Sequence, residues 1–200
     1  MPDTPRAYVV DDDTAALKSL LALLRAHRID AAGFASAEEF LEAYDQRWCG
    51  CVVLDVRMPG MSGIELLASL KEMGSSLSVI LVTAYGDVSL AVEAMKAGAL
   101  DFLEKPYSQE QLLAALERGF DAGDAAARKS ELRAEAREKL EKLTNREKEV
   151  LELLAQGMTS KEIALKFGRS PRTVEVHRNR IREKTGAQTL SDLVRLIGAA

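Results

Sequence analysis

The feature that most constrains this chain is an alternation of two periodicities. Within residues 1–120, short unbroken apolar runs, "AYVV" (7–10), "CVVLDV" (51–56) and "LSVILVT" (77–83), are separated by stretches with apolar residues every three or four positions. A run without polar alternation suits a strand covered on both faces of a parallel sheet. "AAGF" (31–34) and "ALDFLE" (99–104) are two further strand candidates. Between the runs lie five helical stripes: Leu17, Leu20, Leu21 and Leu24; Phe40, Leu41 and Tyr44, opened by Ser36 and Glu39 as a capping box; Ile64, Leu67 and Leu70; Val88, Ala91, Val92 and Met95, ended near Gly98; and Leu112, Leu113 and Leu116. Five strands in step with five helices predict a doubly wound parallel α/β domain with right-handed crossovers.

Residues 121–142 change character. Ala, Glu, Lys and Arg dominate, and Glu135–Lys139 and Glu138–Lys142 are favourable i,i+4 pairs. This stretch is expected to be a helical linker, running on from the fifth helix although Gly119 and Gly123 weaken the continuity. Its thin stripe of Leu132, Ala136, Leu140 and Leu143 suits a solvated spacer better than a coiled coil. Residues 143–200 read as four short helices. Thr144 with Glu147 opens the first and Gly157 stops it; 160–167 is the second, closed by Gly168; Ser170 caps the third with Pro171 at its first position, ending at Gly186; Thr189 and Asp192 open the last.

Charge divides the chain the same way. Residues 1–120 hold 10 basic and 18 acidic side chains, 121–142 hold 6 and 6, and 143–200 hold 11 and 7. An acidic first part and a basic last part predict different partners, with nucleic acid for the second. No apolar run approaches the ~18 residues of a membrane span, and the N-terminus has no signal-like stretch, so the chain is expected in the cytoplasm. Cys49 and Cys51 form C-x-C rather than C-x-x-C and are read as packing residues, a redox pair being the less favoured alternative.

The acids "DDD" at 11–13 need a reason to share one strand end. In an open α/β sheet, ligands bind beyond the carboxyl ends of the strands. Asp11 and Asp12 follow the first strand, Asp55 ends the third, Thr83 ends the fourth and Lys105 follows the fifth. Oxygen ligands of this kind suit Mg²⁺, which takes few carboxylates plus waters and phosphate oxygens. Taken singly, each acid could be a cap or loop residue. Together, at four strand ends, they indicate one site.

These residues, in "VVDDD", "LDVRMPGMSGIELL", "VTAYG" and "AVEAMKAGALDFLEKP", resemble the receiver domains of two-component response regulators, the FixJ branch in particular, over residues 5–120. The resemblance implies a five-stranded CheY-like (flavodoxin-like) fold and assigns roles. Asp55 would accept a phosphoryl group from a histidine kinase. Asp12, Asp55 and the carbonyl of Arg57 would hold Mg²⁺ (Mn²⁺ being the alternative), and Asp11 would act through metal-bound water. Lys105 and Thr83 would contact the phosphoryl oxygens, and Thr83 with Phe102 would form the switch. Tyr85 is a candidate gate, Asp13 an N-cap, and Pro106 a candidate cis residue.

"LTNREKEVLELLAQGMTSKEIALKFGRSPRTVEVHRNRIREKTGA" resembles the LuxR/FixJ type of helix-turn-helix. In its third helix, Val174, His177 and Ile181 form a stripe facing the bundle. Arg172, Glu175, Val176, Asn179 and Glu183 lie opposite, flanked by Arg178, Arg180 and Arg182. Such a helix fits the major groove. Asn179 suits adenine and Glu175 suits cytosine, while the arginines suit guanine or phosphate. Lys161, Ser170 and Thr173 complete the expected DNA contacts. Glu175 and Glu183 make the face less basic than a sequence-blind binder would need, and the length of the linker leaves inhibition by domain docking unassumed.

The expected domains are therefore a receiver (1–120), a helical linker (121–142) and a DNA-binding domain (143–200). The expected function is a phosphorylation-switched transcription factor, an activator, that dimerises when phosphorylated, binds paired DNA half-sites, and engages RNA polymerase but no membrane. It would not be a turnover enzyme. A Mg²⁺-dependent phosphohydrolase using Asp55 is the rival, but an acid/base two residues after the nucleophile would be expected and Arg57 stands there. A decayed, phosphorylation-independent receiver is the third reading, opposed by the intact set Asp11, Asp12, Asp55, Thr83 and Lys105.

Overall fold

The computed structural model describes residues 6–84 and 88–199. Five strands, β1 (Arg6–Val10), β2 (Ala31–Phe34), β3 (Gly50–Asp55), β4 (Ser78–Thr83) and β5 (Asp101–Glu104), pair in parallel in the order β2-β1-β3-β4-β5. All six residues of β3 are buried, as expected of an unbroken apolar run at the centre of a sheet. Helices α1 (Thr14–Ala26), α2 (Ala37–Ala43), α3 (Gly63–Glu72), α4 (Val88–Ala97) and α5 (Gln109–Glu141) complete the α/β alternation. One core layer gathers Tyr8, Val10, Phe40, Leu54, Leu66 and Leu81; the other gathers Val9, Leu24, Val53, Ile80 and Leu116. Neighbouring residues of one strand thus serve opposite faces. The order reverses direction at β1, which opens a crevice between the carboxyl ends of β1 and β3.

Caps follow the local sequence. Asp13 accepts from the Ala15 and Ala16 amides and starts α1. The Ser36 hydroxyl accepts from the Glu39 amide, but Glu39 returns its bond to the Ala35 amide, one residue before the position a full capping box uses. Ser62 and Glu65 make the complete box.

The internal contacts divide the chain into Met1–Arg128 and Lys129–Ala200, a boundary that falls within α5. Gly119 and Gly123 do not interrupt that helix. A Cβ on Gly119 would stand 2.5 Å from Cys51 Sγ, and one on Gly123 would stand 2.4 Å from the Gly50 carbonyl oxygen. The glycines let α5 lie directly on the start of β3. The Ser78 hydroxyl sits 2.7 Å from the Gly119 carbonyl and 3.2 Å from that of Gly50, and shares its proton between them.

In the second unit, Ala136 and Leu143 are buried and Leu140 is partly so, whereas Leu132 is 62 % exposed. Part of the expected spacer stripe is therefore packed rather than solvated. Helices α6 (Asn145–Ala155), α7 (Ser160–Phe167), α8 (Pro171–Thr185) and α9 (Leu190–Ala199) follow. Capping boxes at Thr144–Glu147 and Thr159–Glu162 open α6 and α7, and Ser170 caps α8. Val150, Leu151, Leu154, Ile163, Val174 and Ile181 form the core. Glu147 is almost fully buried and receives a 2.6 Å bond from Lys184. Burial alone would raise its pKa, but the bonds from Lys184 and Thr144 outweigh that and hold it below the usual carboxylate range. The pair's contribution to stability is present above the ordinary carboxylate pKa and is lost as pH falls through the lowered one.

An alanine inside a helix ordinarily stabilises relative to glycine by up to ~1 kcal/mol. Gly123→Ala should do the opposite, costing roughly 1–3 kcal/mol because a methyl group must displace backbone. Gly198→Ala, where a Cβ meets nothing within 4 Å, should be neutral or mildly stabilising. Urea unfolding of the full chain, followed by fluorescence of its single tryptophan, Trp48 in the first unit, measures the first; circular dichroism at 222 nm measures the second.

Candidate functional site

The crevice brings Asp11 and Asp55 together, with the Lys105 ammonium between them. Asp11 directly follows β1, and its amide donates to the Phe34 carbonyl. Its Oδ1 accepts from the Asp13 amide at 2.9 Å. Asp55 ends β3, and its Oδ2 accepts from the Arg57 amide at 2.8 Å. Lys105 Nζ donates to Asp11 Oδ2 at 2.8 Å and Asp55 Oδ1 at 2.6 Å, bridging the two carboxylates. Its own amide donates to the carbonyl of Thr83, the last residue of β4. Asp11 (5 % exposed), Asp55 (7 %) and Thr83 (1 %) are buried, while Asp12 and Arg57 are exposed beside them. The Lys105–Pro106 bond is cis. Phe102 is half-buried against the core layer that contains Leu81 and Ala94. Tyr85, the candidate gate, lies outside the described residues.

Burial is the largest influence on Asp55 and pushes its pKa up. The Lys105 bond and charge and the Arg57 amide pull it down, the Asp11 charge pushes it up again, and the net shift is upward. Burial would lower the Lys105 pKa, but its bonds to both carboxylates prevail and raise it. Tyr107 is also raised, first by burial. Every donor the crevice offers a cation is oxygen, with two carboxylates already buried and a third, Asp12, adjacent in sequence. That chemistry fits a hard divalent ion such as Mg²⁺ and offers nothing to a soft one. Among the described residues no three acidic, histidine or cysteine side chains are already gathered as a cluster, since the ammonium of Lys105 stands between Asp11 and Asp55.

On the second unit, α8 presents Arg172, Val176, Asn179, Arg180, Arg182 and Glu183 to solvent and buries Val174 and Ile181. Lys161 on α7 is exposed as well. Glu175 and Arg178 are used within the chain. The Ser160 hydroxyl donates to Glu175 Oε1, and Arg178 Nη1 donates to Ser160 Oγ at 2.7 Å and to Glu175 Oε1 at 3.2 Å. This clasp joins the start of α7 to the middle of α8. Ser170 Oγ accepts from the Thr173 amide at 3.2 Å and pairs with Thr173 Oγ1. His177 is half-buried, as a packing histidine would be, but its Nδ1 is buried without a partner among the described residues.

Residues 7–117 match the family described as response regulator receiver domain, and 141–197 match the bacterial regulatory proteins of the luxR family. The chain belongs to the two-component response regulators of the FixJ type. It is 43 % identical to the transcriptional regulatory protein FixJ of Azorhizobium caulinodans, over 98 % of this chain and 93 % of that protein. It is 38 % identical to the response regulator protein TodT of Pseudomonas putida, over 94 % of this chain and 83 % of that one. Among solved structures, the response regulator StyR is 38 % identical with a TM-score of 0.81, covering 98 % of this chain and 99 % of StyR. Full-length FixJ from B. japonicum is 40 % identical with a TM-score of 0.58, covering 98 % and 97 %. This response regulator joins a receiver to a LuxR-type DNA-binding domain and controls transcription.

Sequence reasoning missed the part Ser160 plays in the response regulator. As a small polar residue opening a helix, it carries no signal beyond its place in "MTSKE". The clasp could have been sought from the i,i+3 pair Glu175 and Arg178, which face α7 together.

The raised pKa of Asp55 has a consequence for stability. A carboxylate harder to ionise when folded destabilises the native state above its ordinary pKa, and the deficit is complete above the raised one. Asp55→Asn should stabilise the receiver at pH 7, on the order of the 0.5–2 kcal/mol that single stabilising substitutions commonly give. The gain should shrink towards zero at pH 3. Urea unfolding by Trp48 fluorescence at the two pH values checks both magnitude and sign.

Proposed function

We propose that Asp55 is the phosphoacceptor of this response regulator and that its phosphorylation by a histidine kinase governs dimerisation and sequence-specific DNA binding. The observation that carries the reading is the Lys105 ammonium bridging buried Asp11 and Asp55 at the crevice between β1 and β3. A carboxylate oxygen of Asp55 attacks phosphorus, the phosphorus–nitrogen bond of the phosphohistidine breaks, and the imidazole leaves. Asp12, Asp55 and the Arg57 carbonyl would hold Mg²⁺, or Mn²⁺ in its place, with Asp11 acting through water beside them. When bound, the cation neutralises charge on the phosphoryl oxygens. Lys105 then turns from Asp11 towards a phosphoryl oxygen, and the Thr83 hydroxyl moves to another. Phe102, level with Leu81 and so two strand positions inside the rim that Thr83 ends, repacks as Thr83 moves.

The working divisions are a receiver (1–120), a linker (121–142) and a DNA-binding domain (143–200). The chain acts in the cytoplasm as an activator that engages RNA polymerase, and it performs no turnover chemistry on small substrates. No helix among the described residues is long and apolar enough to cross a membrane. In DNA, Arg172, Val176 and Asn179 read bases in the major groove. Lys161, Ser170, Thr173, Arg180 and Arg182 meet the backbone. Glu175 and Arg178, tied to Ser160, face the same groove from within the clasp.

Incubation with acetyl phosphate and Mg²⁺ should label the full chain once, and Asp55→Asn should abolish the labelling. Labelling that survives the substitution places the acceptor elsewhere.

Asn179→Ala should relax preference at one base pair, costing ~1–3 kcal/mol against the preferred sequence only. Arg182→Ala should weaken preferred and scrambled duplexes alike and lower the salt slope by about one. Titrations of both duplexes at several salt concentrations separate the two classes. Unchanged discrimination in Asn179→Ala would mean that a different face of α8 meets the bases.

A further inference from the structure

We infer that a pocket on the α6 side of α8, formed by Arg146, Arg169, Thr173 and His177, holds one phosphate of the DNA backbone. This rests on the reading of α8 as the helix that enters the major groove. A helix in that groove has one sugar-phosphate strand along each flank. On α8 the flank carrying Glu175 and Arg178 is joined to the start of α7, where Lys161 is exposed beside Ser160. Thr173 and His177, one helical turn apart, lie on the opposite flank. There a pocket of about 270 Å³ opens, closed beneath by Phe167 and Val174 and rimmed by Arg146 and Arg169.

Three features suit this pocket to a phosphodiester. Its charged groups are two guanidiniums. Arg146 is held in place, its guanidinium carbon 3.4 Å from the Phe167 ring centroid and its Nη1 bonded to Glu149 at 2.6 Å. A guanidinium has five N–H donors, so one bond to Glu149 leaves donors for an anion. Arg169 makes no ion pair among the described residues. The buried Nδ1 of His177, a residue that lines the pocket, has no hydrogen-bond partner among the described residues, which leaves a polar atom to be satisfied. A turn of the ring into the pocket would let Nδ1–H donate to a phosphate oxygen. Lys161 on one flank and this pocket on the other would then fix α8 between the two strands, leaving Asn179 and Val176 over the base edges.

The test uses the full chain treated with acetyl phosphate, and a duplex selected by that protein from a random library, with a scrambled duplex as control. Arg169 is exposed, so Arg169→Ala should fold normally. It should weaken both duplexes several-fold and reduce the salt slope by about 0.9. A second series replaces single phosphates of the selected duplex by uncharged methylphosphonates. At one backbone position the wild-type protein should lose affinity while Arg169→Ala and His177→Phe lose nothing further; Lys161→Ala should still lose affinity there. An unchanged salt slope, or additive losses at every position, overturns the pocket while leaving DNA binding intact. Competition by millimolar inorganic phosphate with no such shared position assigns the pocket to a free anion and also overturns it. If the wild-type protein selects no duplex at all, the reading on which the pocket rests falls with it.

Discussion

The receiver is organised around one ammonium group placed between two buried carboxylates. Asp11 and Asp55 come from adjacent strands β1 and β3, and the switch in strand order gives them a common crevice. Left alone there they would repel. Lys105 is the compensating charge, but it comes from beyond β5, two strands from β3. Strands lie about 4.8 Å apart, so it must be brought inward before its side chain can reach. The bond from its amide to the Thr83 carbonyl does this by anchoring the residue over the end of β4. Four strand ends are thereby linked through one residue, its ammonium reaching β1 and β3 and its amide β4, and the polar rim depends on the five strands keeping this order.

The second unit solves a different problem. Its small core must hold α8 in a fixed attitude while most of the helix stays exposed. It does so at two places. The Ser160–Glu175–Arg178 clasp holds the first half of α8 to α7, and the Glu147–Lys184 pair holds its last turn to the start of α6. Glu147 is the same residue that completes the capping box with Thr144, so one carboxylate both starts a helix and receives another. A buried carboxylate is tolerable there because both of its functions supply hydrogen bonds.

Much of this was legible in the residues themselves. The unbroken run "CVVLDV" required a strand covered on both faces, and Asp55 at its end required a crevice. "RSP" before "RTVEV" contained the start of α8, because a hydroxyl cap and a proline at the first position suit only a helix N-terminus. What was not legible depended on distance in the chain. Gly119 and Gly123 read as breaks in a helix because helix propensity is local, whereas their purpose, close approach to Cys51 and Gly50, lies some 70 residues away in sequence. Glu175 read as a free acceptor for the same reason. Nothing near it in sequence announces Ser160.

The clasp also constrains how this regulator's target sequence can drift. Glu175 and Arg178 are coupled to each other and to the scaffold helix, so a change at either one disturbs the attitude of the whole reading helix. Arg172, Val176 and Asn179 carry no hydrogen bonds to other side chains among the described residues. On the reading of α8 proposed above, divergence to a new operator is cheapest through those three positions, one at a time. Ser160, Glu175 and Arg178 are tied to one another, so on the same reading a change at one calls for a matching change at the others.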